Sequence, residues 1–339
     1  MGKRVNPNHE TKADTPLHNG GRVLCISLSG IGNTILFTPF IAALRKYHPN
    51  LSIDLLTWSP AAAECLTESG LLNRAIWFPE GLFSKILFVF NLRRCRYAYT
   101  VTAIPSNRWL FHAFSFFVGA PNRVVHAYGT GALRTLSFLS NRKVPAIEGR
   151  HDIENNLQLL APFGIDPGQA DPKPLFVLNR ESRDCVSRWL ATEAIPDGIR
   201  LVGIHAGAGP LGDRKKWGLN NFTREIRNVL TQDPTAHIII FGGKEEANEK
   251  AELAELTASA NIHIFSGSLM ETAACIERCH FFVSNDTGLM HIAAVYGIPQ
   301  KAIFISTSIS RTRPWNDNAE VLDLTHGADY SYPFRSCKP

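Results

Sequence analysis

Short apolar, β-branched runs alternate with helical stretches along nearly the whole 339-residue chain. This alternation marks right-handed βαβ units wound around parallel sheets. The spacing predicts strands at Arg22–Leu28, Ser52–Thr57, Ala75–Phe78, Ala98–Ala103 and Arg123–Val125. Among the intervening helical stretches, Thr38–Tyr47 is the clearest. Pro39 sits in its first turn, and Phe40, Ala43, Leu44 and Tyr47 follow i, i+3, i+4, i+7 spacing. A Pro- and Gly-rich passage, Pro162–Pro174, reads as a linker after a helix at Ile153–Leu160. The pattern then restarts, with strands at Leu201–His205, His237–Phe241, Ile262–Phe265, Phe281–Ser284 and Ala302–Ile305 and helices at Asn221–Leu230, Glu245–Ala258, Glu271–Arg278 and Leu289–Tyr296. The expected fold is α/β, with two doubly wound parallel-sheet domains, 21–165 and 175–330, after a polar, disordered lead-in over 1–20. Ligands of such sheets gather at the carboxyl ends of the strands, so the expected site is the cleft between the domains.

The longest apolar stretches, Ile86–Phe90 and Trp109–Ala120, fall short of the roughly 20 residues needed to cross a bilayer. The first twenty residues have no apolar segment of the kind a secretory signal needs, which leads us to expect a cytoplasmic protein. Seven cysteines (25, 65, 95, 185, 275, 279 and 337) form no C-x-x-C pair, arguing against disulfide or zinc scaffolding; Cys275 and Cys279 read as buried thiols. Charge is uneven. Residues 1–170 carry 17 Lys and Arg against 10 Asp and Glu, while the remainder carries 18 against 20. Between Leu71 and Ile147 ten basic residues, Arg93 and Arg94 among them, face one acid, Glu80, and are interleaved with Phe83, Phe88, Phe90, Trp109 and Phe116. Such a surface suits an anionic partner (nucleic acid, an acidic membrane face or a phosphorylated glycolipid) and reads equally as a solvated basic face over a hydrophobic core.

Four strand-end loops carry the chemistry. In Phe281–Ala294 an apolar strand ends in Ser284, Asn285 and Asp286, a small turn follows at Thr287 and Gly288, and a helix begins with His291 in its first turn. Free N–H groups and the positive end of a helix dipole make this an anion site, with Thr287 as cap. The loop Ala206–Trp217 combines Gly207, Gly209 and Gly212 with Arg214, Lys215 and Lys216, a pattern suited to a diphosphate without metal. Its glycines also match the dinucleotide fingerprint of a nicotinamide enzyme, but Pro210 and the polar run Asp213–Lys216 interrupt the point where the phosphate-binding helix should begin. In Ser27–Thr34, Gly30 and Gly32 allow a tight turn that offers Asn33 and Thr34 to the cleft. In Phe241–Glu246, again a strand end, Glu246 reads either as a carboxylate that accepts hydrogen bonds from ribose hydroxyls or as the acid of a first helical turn favoured by the dipole.

In order, these motifs are G-I-G-N-x-x-x-x-T-P, H-A-G-A-G…K-K-W, F-G-G-K-E-E, S-L-M-E-T-A, S-N-D-T-G-L-M-H-I-A-A-x-x-G-I-P and R-T-R-P-W. From about Val23 to Trp315 the chain resembles glycosyltransferase family 9, the ADP-heptose:lipopolysaccharide heptosyltransferases and their relatives. The resemblance implies a GT-B fold of two Rossmann-like domains and inverting transfer without metal or cofactor. It implies a nucleotide-diphosphate sugar, ADP-linked by preference, on the second domain, and an anionic glycan or glycolipid acceptor on the first. Asp286, Thr287, Gly288 and His291 would then surround the diphosphate and sugar, with Gly207 on the same loop as Lys215, which meets the phosphates. Glu246 would meet the ribose, and the backbone near Leu269 and Met270 would line the base. Gly32, Asn33, Thr34, Arg93 and Arg94 would serve the acceptor. On this reading nucleic acid is set aside, and membrane contact is peripheral, through Leu82–Arg96 and Trp109–Phe117.

One departure bears on catalysis. Where the family has Gly-Asp after the first strand, with the aspartate as base, this chain has Gly32-Asn33, and an amide orients a hydroxyl without taking its proton. Asp54, His112 and His126 are substitute candidates in the first half. The alternatives are reliance on leaving-group stabilisation, or a non-catalytic protein that binds a nucleotide sugar or glycan. The late loop Phe304–Trp315 also departs, with Ile305 where the family has Gly.

Overall fold

The computed structural model describes residues 21–58, 60–79, 81–128, 132–208, 214–257 and 259–325. The expected lead-in 1–20, Glu80, Gly209 to Asp213, residues 326–330 of the second expected domain and Cys337 lie outside the described residues, as do the side chains of Cys65 and Phe83. The strands are β1 (Arg22–Ser27), β2 (Ser52–Thr57), β3 (Arg74–Trp77), β4 (Tyr99–Thr102), β5 (Asn122–Ala127) and β6 (Arg142–Pro145), then β7 (Leu201–His205), β8 (His237–Ile240), β9 (Ile262–Ile264), β10 (Phe281–Asn285), β11 (Gln300–Phe304) and β12 (Ala319–Asp323). Helices in the first half are α1 (Ile31–Ile35), α2 (Thr38–Tyr47), α3 (Pro60–Thr67), α4 (Leu82–Arg94), α5 (Trp109–Val118), α6 (Ala132–Thr135) and α7 (Asp152–Gln158). Those in the second are α8 (Arg180–Thr192), α9 (Leu219–Gln232), α10 (Ala247–Thr257), α11 (Leu269–Glu277), α12 (Gly288–Val295) and α13 (Ile309–Thr312).

The two sheets are all parallel, in the orders β3-β2-β1-β4-β5-β6 and β12-β11-β10-β7-β8-β9. Read from its first strand, each has the Rossmann order, which reverses direction between its first and fourth strands. Crossover helices on both faces leave the central strands buried throughout: the last five residues of β1, all of β7 and the last three of β8 are buried. The reversal opens a crevice at the carboxyl ends of β1 and β4 in one sheet and of β7 and β10 in the other. The candidate motifs fall on those ends because a βαβ crossover leaves a strand there and re-enters at the opposite pole.

The structure corrects several expected elements. The turn expected over Ser27–Thr34 is largely helix: Gly30 is the N-cap of α1, and Gly32, Asn33 and Thr34 lie within it. The passage Pro162–Pro174 is no slack linker, since Phe163 and Ile165 are buried in a core that also holds Phe176 and Leu178. Edge strands β6 and β12 and the helix α8 add to the expected set. Among the described residues no helix is long and apolar enough to cross a membrane. Cys25, Cys275 and Cys279 are free and buried, and burial pushes the Cys279 thiol up to about 12.

A buried ion pair joins the halves. Asp152, at the start of α7, has no exposed surface, and Arg311 on α13 grips it with Nε at 3.0 Å and Nη2 at 2.8 Å. Beside it His151 caps α7: its Nδ1 accepts from the Ile153 N–H (3.2 Å), which leaves Nε2 to donate to the Arg313 carbonyl (3.0 Å). Removing one partner of a buried, bidentate pair strands a charge. Arg311→Leu should therefore lower unfolding free energy by about 3–5 kcal/mol, and the double variant with Asp152→Leu should recover most of that loss. Denaturant unfolding of both proteins checks this.

Candidate functional site

β10 is a buried strand whose last two residues, Ser284 and Asn285, are polar and have no exposed surface. Asn285 works for the fold here. Its Nδ2 donates to the carbonyls of Ala206 (2.8 Å) and Gly207 (3.0 Å), and its Oδ1 accepts from the Trp217 N–H (3.1 Å). Three bonds from one amide thus fix both ends of the glycine-rich loop after β7. In sequence Asn285 shows only as a polar strand end, and only the fold reveals what it holds.

Held this way, the loop delivers Lys215 to the end of β10. Its Nζ donates to Asp286 Oδ2 at 2.8 Å and to the Asp286 carbonyl at 3.3 Å, and both side chains are largely buried. The neighbouring cations behave differently: Lys216 pairs with Glu249, and Arg214 is exposed. Of the three expected phosphate cations, the described geometry aims Lys215 at the crevice. Thr287 takes the N-cap position of α12, but its side chain makes no capping bond; the hydroxyls of Thr287, Ser284 and Thr307 are buried without a protein partner. At the N-terminus of this eight-residue helix the first N–H groups, the unbonded Thr287 hydroxyl and the dipole favour an anion.

His291 stands within the first turn of α12, 5% exposed, its Nδ1 without a protein partner. Burial pushes the imidazole down to about 4 against the pull of Asp286, with His151 and Lys215 adding repulsion, so the ring is neutral at pH 7. Its neighbour across the cleft is α1. A Cβ on Gly32 would lie 2.5 Å from His291 Cδ2, and only a glycine lets the halves approach this closely. Asn33, next in α1, is half-buried.

Glu246 lies at the third crevice edge, 8% exposed, accepting the Gly243 N–H at 2.9 Å. His205, at the end of β7, has its Nδ1 4.0 Å from Glu246 Oε2 and 3.2 Å from the Phe241 carbonyl, and burial lowers its pKa despite the carboxylate. A Cβ on Gly207 would fall on the Glu246 carboxylate, so any side chain here would displace that carboxylate. Ser268 caps α11 through a capping box with Glu271, which sets the direction of Leu269 and of the buried Met270.

The structure thus gathers Gly207, Lys215, Glu246, Asp286, Thr287, Gly288 and His291 at the carboxyl ends of the second sheet, facing Gly32 and Asn33. Other expected residues fall elsewhere. Thr34 is buried, with its hydroxyl 2.9 Å from Ser27 Oγ, and presents nothing to the cleft. Arg93 and Arg94 end α4, which feeds the amino end of β4, so they lie at the opposite pole; Arg93 Nη1 donates to the Phe117 carbonyl at 3.4 Å. Asp54 is bound at Oδ2 by Tyr97 (2.6 Å), Arg74 (3.1 Å) and Arg22 (3.4 Å), and Arg22 and Arg74 begin their strands, so this network is also remote from the crevice. Burial holds His112 at about 4, with its Nδ1 2.8 Å from Ser140 Oγ, and His126 at about 3. The outer faces of α4 and α5 keep Phe90, Trp109 and Phe117 more than half exposed.

The chain is similar to known proteins in sequence and in fold. The family model described as glycosyltransferase family 9 (heptosyltransferase) matches residues 91–332. Lipooligosaccharide heptosyltransferase 2 of Campylobacter jejuni is 31% identical over 134 residues, 38% of this chain, and the match spans 41% of that relative's length. Lipopolysaccharide heptosyltransferase 2 of Escherichia coli K12 is 24% identical over 325 residues, 90% of this chain and 89% of that one. Among solved structures, a family 9 glycosyl transferase from Veillonella parvula superposes with a TM-score of 0.76 at 18% identity, covering 91% of this chain and 87% of that one. An E. coli heptosyltransferase with ADP-2-deoxy-2-fluoro heptose gives 0.67 at 19% identity, covering 89% and 92%.

Unfolded imidazoles titrate near 6.5, whereas His291 in the fold waits until about 4, so the unfolded chain binds more protons between those values. The contribution of His291 to stability is complete above about pH 6.5 and is lost as pH falls toward 4. Denaturation of the wild type at several pH values across this window should show the loss, and His291→Asn should make it shallower by one group's share, the buried His112, His126 and His151 keeping the rest. Equal slopes in the two proteins would rule out a buried neutral ring.

Proposed function

The chain belongs to glycosyltransferase family 9, and from that membership we propose that it transfers a heptose or related sugar from a nucleotide-diphosphate sugar, ADP-linked by preference, to an anionic glycan of the lipopolysaccharide type. The observation that carries this reading is Lys215 held at Asp286 beside the N-terminus of α12: a cation, free N–H groups and the unbonded Thr287 hydroxyl lie together where a diphosphate leaving group needs them. The relatives' names supply the sugar and acceptor class.

In the mechanism we infer, the diphosphate lies on the first turn of α12 with Lys215 as counter-charge. Asp286, fixed by that lysine, accepts from sugar hydroxyls, and Glu246 accepts from the ribose. The acceptor hydroxyl, oriented by the Asn33 amide, attacks the anomeric carbon on the face opposite the diphosphate, and the configuration inverts. The carbon–oxygen bond to phosphate breaks with its electron pair leaving on the diphosphate, and the acceptor proton passes to water in the cleft. The positive groups are the protein's own, so the step needs no metal. Asn33 also supports a second reading, a nucleotide-sugar or glycan binder that transfers nothing.

Two variants separate these readings. Lys215→Ala removes a charge-assisted bond, and ADP affinity by calorimetry should fall about 10- to 100-fold; unchanged affinity would contradict the donor site. Asn33→Asp tests the amide. If the asparagine is the working residue, transfer from ADP-heptose falls in this variant, whereas transfer appearing only in the variant establishes the binding reading. We also assign peripheral contact with an anionic membrane face to α4 and α5, where exposed Phe90, Trp109 and Phe117 adjoin basic residues. Salt-sensitive sedimentation with phosphatidylglycerol vesicles checks this, and its absence removes the contact.

A further inference from the structure

Lys250 lies on α10 one turn beyond Glu246 and is 7% exposed. Its Nζ donates to two neutral acceptors, the Gly242 carbonyl at 3.0 Å and Ser266 Oγ at 3.1 Å. Burying an amine against neutral partners is costly, and a packed apolar side chain would serve the fold at lower cost. What the amine adds is orientation. The peptide joining Gly242 to Gly243 is gripped at both ends: its carbonyl accepts from Lys250, and its N–H donates to Glu246 Oε2 at 2.9 Å. Two adjacent glycines would otherwise let this unit turn over at little steric cost, and a turned peptide withdraws the N–H that holds the carboxylate. The packing agrees, since a Cβ on Gly242 would sit 3.0 Å from both Glu246 Oε2 and Lys250 Cδ. The second anchor, Ser266, follows β9 on the segment that runs into the Ser268 cap of α11 and so to Leu269 and Met270.

We propose that Lys250 is a positioning residue for the nucleoside half of the donor. It sets the orientation of the Gly242–Gly243 peptide, and through it Glu246, and ties that loop to Ser266–Met270, so that one amine aligns the ribose carboxylate with the base-lining backbone. The proposal rests on the donor reading above and adds a residue outside the recurring motifs.

The test uses the full chain with ADP and 2′-deoxy-ADP as probes, calorimetry for affinity, and steady-state transfer from ADP-heptose. In the wild type Glu246 gives a preference for ADP over the deoxy form. Lys250→Met should lower ADP affinity about tenfold and shrink that preference, because a released carboxylate no longer reads the ribose. The donor KM should rise while kcat at saturating donor stays within about twofold, and Lys250→Arg should restore part of the ribose preference. Ser266→Ala, which leaves the Gly242 bond in place, should move the same quantities in the same direction by less, and it keeps the test open if Lys250→Met fails to fold. Variants that bind ADP as tightly as the wild type with the same ribose preference overturn the proposal. A wild-type chain that binds neither nucleotide overturns the donor reading beneath it, which is a distinguishable result.

Discussion

Asn285 is the pivot of this molecule. A buried amide at the end of a central strand can satisfy its donors and acceptor only on backbone, and here the available backbone is the loop after β7, at Ala206, Gly207 and Trp217. Satisfying that one side chain fixes the described ends of the glycine-rich loop. The fixed loop carries Lys215 to Asp286 and leaves at Gly207 a space that the Glu246 carboxylate fills. The site is therefore positioned from within the sheet, while the surface contributes only the groups that face a ligand.

A second constraint comes from the other half. The approach of α1 to α12, with Gly32 against His291, is close enough that the halves share one environment, and the buried Asp152–Arg311 pair holds them in register. Burial keeps His291 and His151 neutral at pH 7, while Asp152, raised to about 6, is still ionised there against Arg311. The Lys215–Asp286 pair is the charged feature at the end of β10.

Much of this was legible in the sequence, and the remainder has physical reasons. Strands β2 and β7 match their sequence-predicted limits because burial on both faces demands mostly apolar runs, interrupted in β2 by the paired Asp54. The edge strands β6 and β12 escape that reading because they are half-exposed and their residues carry no such run. Helix α1 is hidden by Gly32 in a five-residue stretch, and α8 by a charged surface beneath which only Ser182, Val186 and Leu190 are buried. At the site, the motifs after β7, β8 and β10 are local and readable. Which lysine meets which acid is not, because Lys215 and Asp286 are 71 residues apart and Lys216, its neighbour, turns to Glu249 instead. Arg93 and Arg94 show the limit of charge counting: composition finds the basic region, and topology decides at which pole it lies.

The donor site proposed here lies at the carboxyl ends of β7, β8 and β10. Its most direct test is thermal unfolding of the purified protein with a panel of nucleoside diphosphates and nucleotide sugars, without metal and then with Mg²⁺. Such a site gives a selective rise in Tm with ADP or an ADP-sugar that needs no metal, since a ligand at 100 times its Kd adds about 2.7 kcal/mol to the folded state. A Tm that no diphosphate moves, with metal or without it, would contradict it.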